Sequence, residues 1–133
     1  MKLSKIHVDV QAQEEGQWLD HPRFPGVQVK VRSIHSEAYR RKVFALQNAY
    51  PVRRLKRGEL AKNAEHVQRY SMPTLCLGWK GIEDAEYSEE VAKSWVEDDV
   101  LWKKSRLFWD GIVELAQDVG EDEAEAHEEA LGN

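Results

Sequence analysis

Cysteine occurs once in this chain of 133 residues, so no internal disulfide can form and a reducing compartment suits it. Cys76 lies between Leu75 and Leu77. That setting reads as a small buried hydrophobe rather than a reactive thiol. Long apolar runs are missing, which excludes a transmembrane helix. The first residues carry Lys2 and Lys5 but no apolar stretch, so no secretory signal is expected. There is no Gly-rich loop ahead of a Lys-Ser/Thr pair and no Gly-x-Ser-x-Gly elbow. Zinc needs three or four Cys/His ligands at tight spacing, and one Cys with five scattered His does not supply them. His7, His21, His35 and His66 share no helical face, so each reads as a surface or hydrogen-bonded core residue, while His127 sits in an acidic stretch. Carboxylates pair at Glu83/Asp84 and Asp98/Asp99, but in segments expected to be solvated, where nothing raises a pKa for acid catalysis. The expectation is a protein without catalytic residues, metal or cofactor.

What the chain does have is tryptophan, five in all, with 41% hydrophobic and 32% charged residues. That composition fits one domain burying roughly two-thirds of its unfolded surface. Charge is unevenly spread. Residues 28–69 hold 11 Lys/Arg against 3 Asp/Glu, whereas residues 83–129 hold 4 against 17. Halves of opposite sign attract within a subunit or between subunits. The plainer reading is two solvated faces.

Residues 5–10 alternate apolar and polar as a half-buried strand does, and residues 26–32 alternate more cleanly, with Val27, Val29 and Val31 on one face. Gly16, Trp18, Pro22, Pro25 and Gly26 mark a loop or short extra strand between them. Ser36-Glu37 is an N-cap signal, after which Tyr39, Val43, Leu46 and Tyr50 form a stripe that stops at Pro51. Arg53, Arg54, Lys56 and Arg57 make a basic connector. Leu60, Ala64, Val67 and Ser71 give a second stripe, which Pro73 is expected to kink or end. Ser88 caps a helix over residues 89–96. Asp98 or Asp99 is expected to cap the longest helix, residues 100–119, with Gly120 as its stop. The fold expected is α+β and predominantly helical: an N-terminal β-hairpin-like sheet packed on about four helices. Residues 1–120 are expected to form a single domain, and residues 121–133 an acidic, disordered tail. There is no internal repeat.

Two surfaces are candidates for binding. Trp95, Trp102 and Trp109 are spaced at seven and share one side if the helices run on continuously. With Phe108 they are either core or a partner-facing surface for another chain's apolar helix. Arg40, Arg41, Arg53, Arg54 and Arg57 form a possible charged interface. Nucleic acid is the alternative partner there. The acidic half and a pI near 5.6 oppose unspecific DNA affinity.

Three features occur in one order: Gln17-Trp18 before the strand at 27–32; Tyr39-Arg40-Arg41 on a basic helix; and Leu75-Cys76-Leu77-Gly78-Trp79-Lys80-Gly81-Ile82-Glu83-Asp84 followed by Tyr87-Ser88-Glu89-Glu90-Val91-Ala92. That order resembles the tail assembly chaperones of long, non-contractile-tailed bacteriophages and prophages, whose Trp-x-Gly-Ile-x-Asp core leads into a Tyr/Phe-Ser/Thr-x-Glu helix start. Leu107-Phe108-Trp109-Asp110-Gly111-Ile112-Val113 resembles the family's aromatic final helix, so the likeness covers residues 17–116. The loop at Ala85-Glu86 is shorter than the family's, which often carries an extra Gly and Pro, and the acidic tail has no clear counterpart. The resemblance implies a non-enzymatic, self-associating protein of the host cytoplasm that is absent from the mature virion. It would coat the aggregation-prone tape measure protein and help recruit tail tube subunits. The family often makes a longer frameshifted form as well. The Gly78-Trp79-Lys80-Gly81 corner is expected to be structural, with its Trp pinning the following helix onto the core.

Overall fold

A computed structural model describes residues 8–48 and 57–121, with residues 57 and 58 described by backbone alone. Helix α1 (Val10–Glu15) comes first, then strands β1 (Gln17–Asp20) and β2 (Gln28–Val31). Helices α2 (Glu37–Asn48) and α3 (Arg57–Leu75) lead into strand β3 (Cys76–Lys80), and α4 (Glu89–Glu97), α5 (Asp99–Lys104) and α6 (Arg106–Ala116) follow. The class is α+β and predominantly helical, as expected, with six helices among the described residues rather than four.

β2 is the middle strand of an antiparallel three-stranded sheet, order β1-β2-β3. Val29 pairs with Leu19 on one side and Trp79 on the other. Period-two alternation sends Val29 and Val31 inward, where both are fully buried. It sends Lys30 outward, opposite Trp18 and Gly78. On that outer face the Trp18 ring lies across Gly78, where a Cβ would come within 3.1 Å of it, and Lys80 Nζ stands 4.1 Å from the ring centre. The buried face packs against Leu75, Trp79, Val96, Phe108, Trp109, Ile112 and Ala116, which form the core.

Several boundaries differ from the sequence expectation. The strand expected at residues 5–10 is replaced, where described, by a helix beginning at Val10. Asp9 explains the change: its carboxylate accepts the Ala12 N–H at 2.9 Å, an N-cap that alternation alone does not reveal. Pro73 does not stop α3, which runs two residues beyond it to Leu75. A Pro in a last turn forfeits only one hydrogen bond of the ladder. The single long helix expected over 100–119 is two helices. Ser105 closes α5, its hydroxyl donating to Leu101 O at 2.7 Å, and α6 starts at the next residue. Asp98 caps α5 by accepting from both Val100 N and Leu101 N at 2.9 Å. Ser88 caps α4 as expected, accepting from Val91 N. The stop at Pro51 and residues 122–133 lie outside the described residues.

Arg69 holds the α3–α4–α5 junction together. Its guanidinium donates to the carbonyls of Val96 and Glu97 at the end of α4, pairs with Asp99 at 2.9 Å and lies over the Trp102 ring. A cation at a helix C-terminus is favoured both by the dipole and by the free carbonyls there.

Candidate functional site

Trp79 organises the region on which the resemblance rests. The ring is buried; its indole N–H donates to Ala85 O at 2.7 Å, and it stacks on Trp95 of α4 with centroids 4.6 Å apart. Tyr87 and Phe108 meet it edge-on. The expected corner is therefore present, with the Trp holding α4 to the sheet. Gly81 completes the turn at φ 90°, where any Cβ would lie 2.2 Å from Gly26 O. β3 and the β1–β2 hairpin turn thus approach backbone to backbone.

The aromatics expected to meet a partner are mostly core. Trp109 is 1% exposed, and its N–H donates to Ser105 Oγ at 3.1 Å. Trp102, 5% exposed, is flanked by the guanidinium groups of Arg69 and Arg106. Phe108 is equally buried. As partner-facing surfaces, Trp102, Trp109 and most of Phe108 are corrected to core. Their seven-residue spacing did not put them on one exposed side, because the helix axis breaks at both Asp98 and Ser105. Trp95 is half-buried.

Trp95 and the accessible edge of Phe108 instead line an apolar groove of about 570 Å³. One wall is the β1–β2 hairpin turn with Phe24 and Val27. A second is the segment after β3, with Ile82 and Ala85, and the third is Leu101 and Lys104 of α5. Phe24 and Leu101 remain 38% and 37% exposed. Sequence reasoning missed both. Phe24 sits in a Pro/Gly-rich loop, where an aromatic side chain has no periodicity to betray its role. Leu101 lies inside the helix expected as one piece over residues 100–119, so nothing in the sequence sets it apart as a groove wall.

Behind the hairpin wall, His21 is buried at 5% exposure. Its Nδ1 accepts the Arg23 N–H at 3.1 Å, which leaves the proton on Nε2 to donate to Phe108 O at 2.9 Å. The ring stacks on Phe108 and packs against Phe24. It fills the space above Gly111, where a Cβ would lie 2.3 Å from its Cε1. Burial lowers its pKa below the usual 6.5, with Arg23 adding to the effect, while the Phe108 carbonyl and Glu114 oppose it. Burial likewise pushes the Cys76 thiol up to about 12, consistent with an inert hydrophobe.

On the opposite-charge side, no residue of α2 is buried. Arg40 and Arg41 are exposed beside Phe44, itself 66% exposed. Arg41 is held by Glu37, and Glu14 lines the same surface. Carboxylates therefore interrupt the basic face. Arg53 and Arg54 lie outside the described residues, and Arg57 opens α3 without a described side chain. Among the described residues no group of three His, Cys, Asp or Glu could hold a metal, and no helix is long and apolar enough to cross a membrane.

No protein-family model, curated protein or solved structure matches this chain.

Proposed function

We propose that this chain is a phage tail assembly chaperone, and that its groove receives an apolar helical segment of the tape measure protein. The observation that carries the reading is the position of the groove. Its second wall takes Gly81, Ile82 and Asp84 from the Trp-x-Gly-Ile-x-Asp element on which the resemblance rests, with Ala85 next to it. An open apolar channel rimmed by exposed Phe24 and Leu101 suits helix-in-groove recognition. The proposed role keeps the tape measure protein soluble in the host cytoplasm and helps recruit tail tube subunits. The chain acts there as a homo-oligomer, with no place in the mature virion.

Co-expression with the tape measure gene of the same phage or prophage tests this. The expected result is tape measure protein shifted from the pellet to the soluble fraction. Equal insolubility with and without this chain overturns the reading. The nucleic acid alternative, through Arg40 and Arg41 beside Phe44, predicts instead a gel shift that weakens steeply with salt.

A further inference from the structure

The hairpin turn that forms the first wall of the groove is joined to α6 through one titratable ring. Backbone groups engage both nitrogens of His21: Nε2–H donates to Phe108 O, and Nδ1 accepts from the N–H of Arg23, within the turn itself. The same ring packs against Phe24, the exposed rim of the wall. On its own side the ring faces Arg23 and from α6 it faces Glu114; Arg23 contacts Glu114 at 2.5 Å and Asp110, also on α6, at 4.0 Å.

We propose that His21 latches the hairpin turn to α6 only while its ring is neutral, so that protonation releases the Phe24 wall and opens the groove. The chemistry is a donor–acceptor count. An imidazolium has two N–H donors and no acceptor, so the Arg23 N–H loses its partner and two donors face one another. The positive ring, itself buried, also stands near the Arg23 guanidinium, which repels it. Glu114 and Asp110 are already engaged by Arg23 and offset this in part. The ring lies directly over Gly111, where a Cβ would come within 2.3 Å of its Cε1, and turning it exchanges one N–H for the other without supplying an acceptor. Movement of the turn is the remaining escape. The sign follows from linkage: with the folded pKa below the unfolded 6.5, the latch is at full strength above pH 6.5 and weakens as pH falls below it toward the folded value. This regulation rests on the groove being the binding site proposed above.

Hydrogen exchange of the chain alone, followed by NMR from pH 7.5 to pH 5, tests the latch without any partner. The opening constant for the hydrogen-bonded amides of Arg23 and Val27, corrected for intrinsic exchange, should rise below pH 6.5 toward about tenfold per pH unit, the slope for one proton. The amides of Val29 and Trp79 should stay protected, and the His21 ring should titrate below the usual 6.5. A flat opening constant overturns the proposal. So does opening of the turn together with the whole sheet. His21→Gln, whose amide still donates to Phe108 O but does not titrate, should give a flat profile. If that variant does not fold, the titration of the natural chain decides alone. Failure of tape measure solubilisation at neutral pH would strike the chaperone reading and leave this measurement standing.

Discussion

Trp79 touches the sheet, α4 and α6 at once, so its loss removes packing and leaves the Ala85 carbonyl without its donor. Trp79→Ala is expected to destabilise the fold by about 3–5 kcal/mol in urea unfolding. Normal stability with lost partner binding would reverse the assignment of this residue from scaffold to interface. Two glycines of similar φ make a sharper comparison. At Gly26 (φ 86°) nothing lies within 4 Å of an added Cβ, so Gly26→Ala carries only the left-handed strain of about 1–2 kcal/mol. At Gly81 (φ 90°) the same methyl meets the Gly26 carbonyl oxygen, and Gly81→Ala should cost clearly more in the same assay. Equal costs would mean the two turns do not touch in solution. The sequence marked both positions as turns. It did not distinguish them, since the difference lies in a contact between residues 55 positions apart in the chain.

At the scale of elements, capping chemistry was the most readable signal. The sequence marks Ser88 as one cap and Asp98 or Asp99 as another, and Ser88 and Asp98 both accept backbone N–H groups. Asp98 accepts two, so Asp98→Ala should lower stability by about 1 kcal/mol, with the loss of protection in hydrogen exchange concentrated in α5. Uniform loss across the fold would show that α5 has no independent stability. Asp9 was missed because its side chain competes with a strand-like alternation in the residues around it. Ser105 gives no stop signal in the sequence, because helical periodicity cannot register a hydroxyl that bonds back to Leu101 O where a helix ends. That single break also explains why the tryptophans at 102 and 109 do not share one side: seven-residue spacing aligns them only along a continuous axis.

For the whole molecule, the α+β class and the inward Val29/Val31 face were legible, because hydrophobic periodicity records which side of an element is covered. The groove was not, since its walls come from a turn, a post-strand loop and a short helix that meet only in the folded chain. It is open to a selective test. Leu101→Glu places a charge on an exposed rim, so the melting temperature should stay within a few degrees while tape measure solubilisation is lost. A comparable fall in stability would make the result uninformative about binding alone, and Phe24→Ser, on the facing wall, should then reproduce the loss. Retained solubilisation in both variants would exclude the groove.

The central place of β2 reaches beyond packing. β1 and β2 are joined by a short turn, but Val31 finds its other neighbour, Cys76, only after the chain has passed through all of α2 and α3. Closing that long loop carries an entropic cost that local contacts cannot offset early, so the hairpin should assemble first and β3 should dock late. Substitutions such as Trp79→Phe are therefore expected mainly to speed unfolding, with a φ-value near zero, whereas Leu19→Ala should slow folding. The order has a consequence during synthesis. Until the third strand arrives, one edge of β2 stands open with its amides unpaired, and the growing chain is at its most vulnerable to pairing with another.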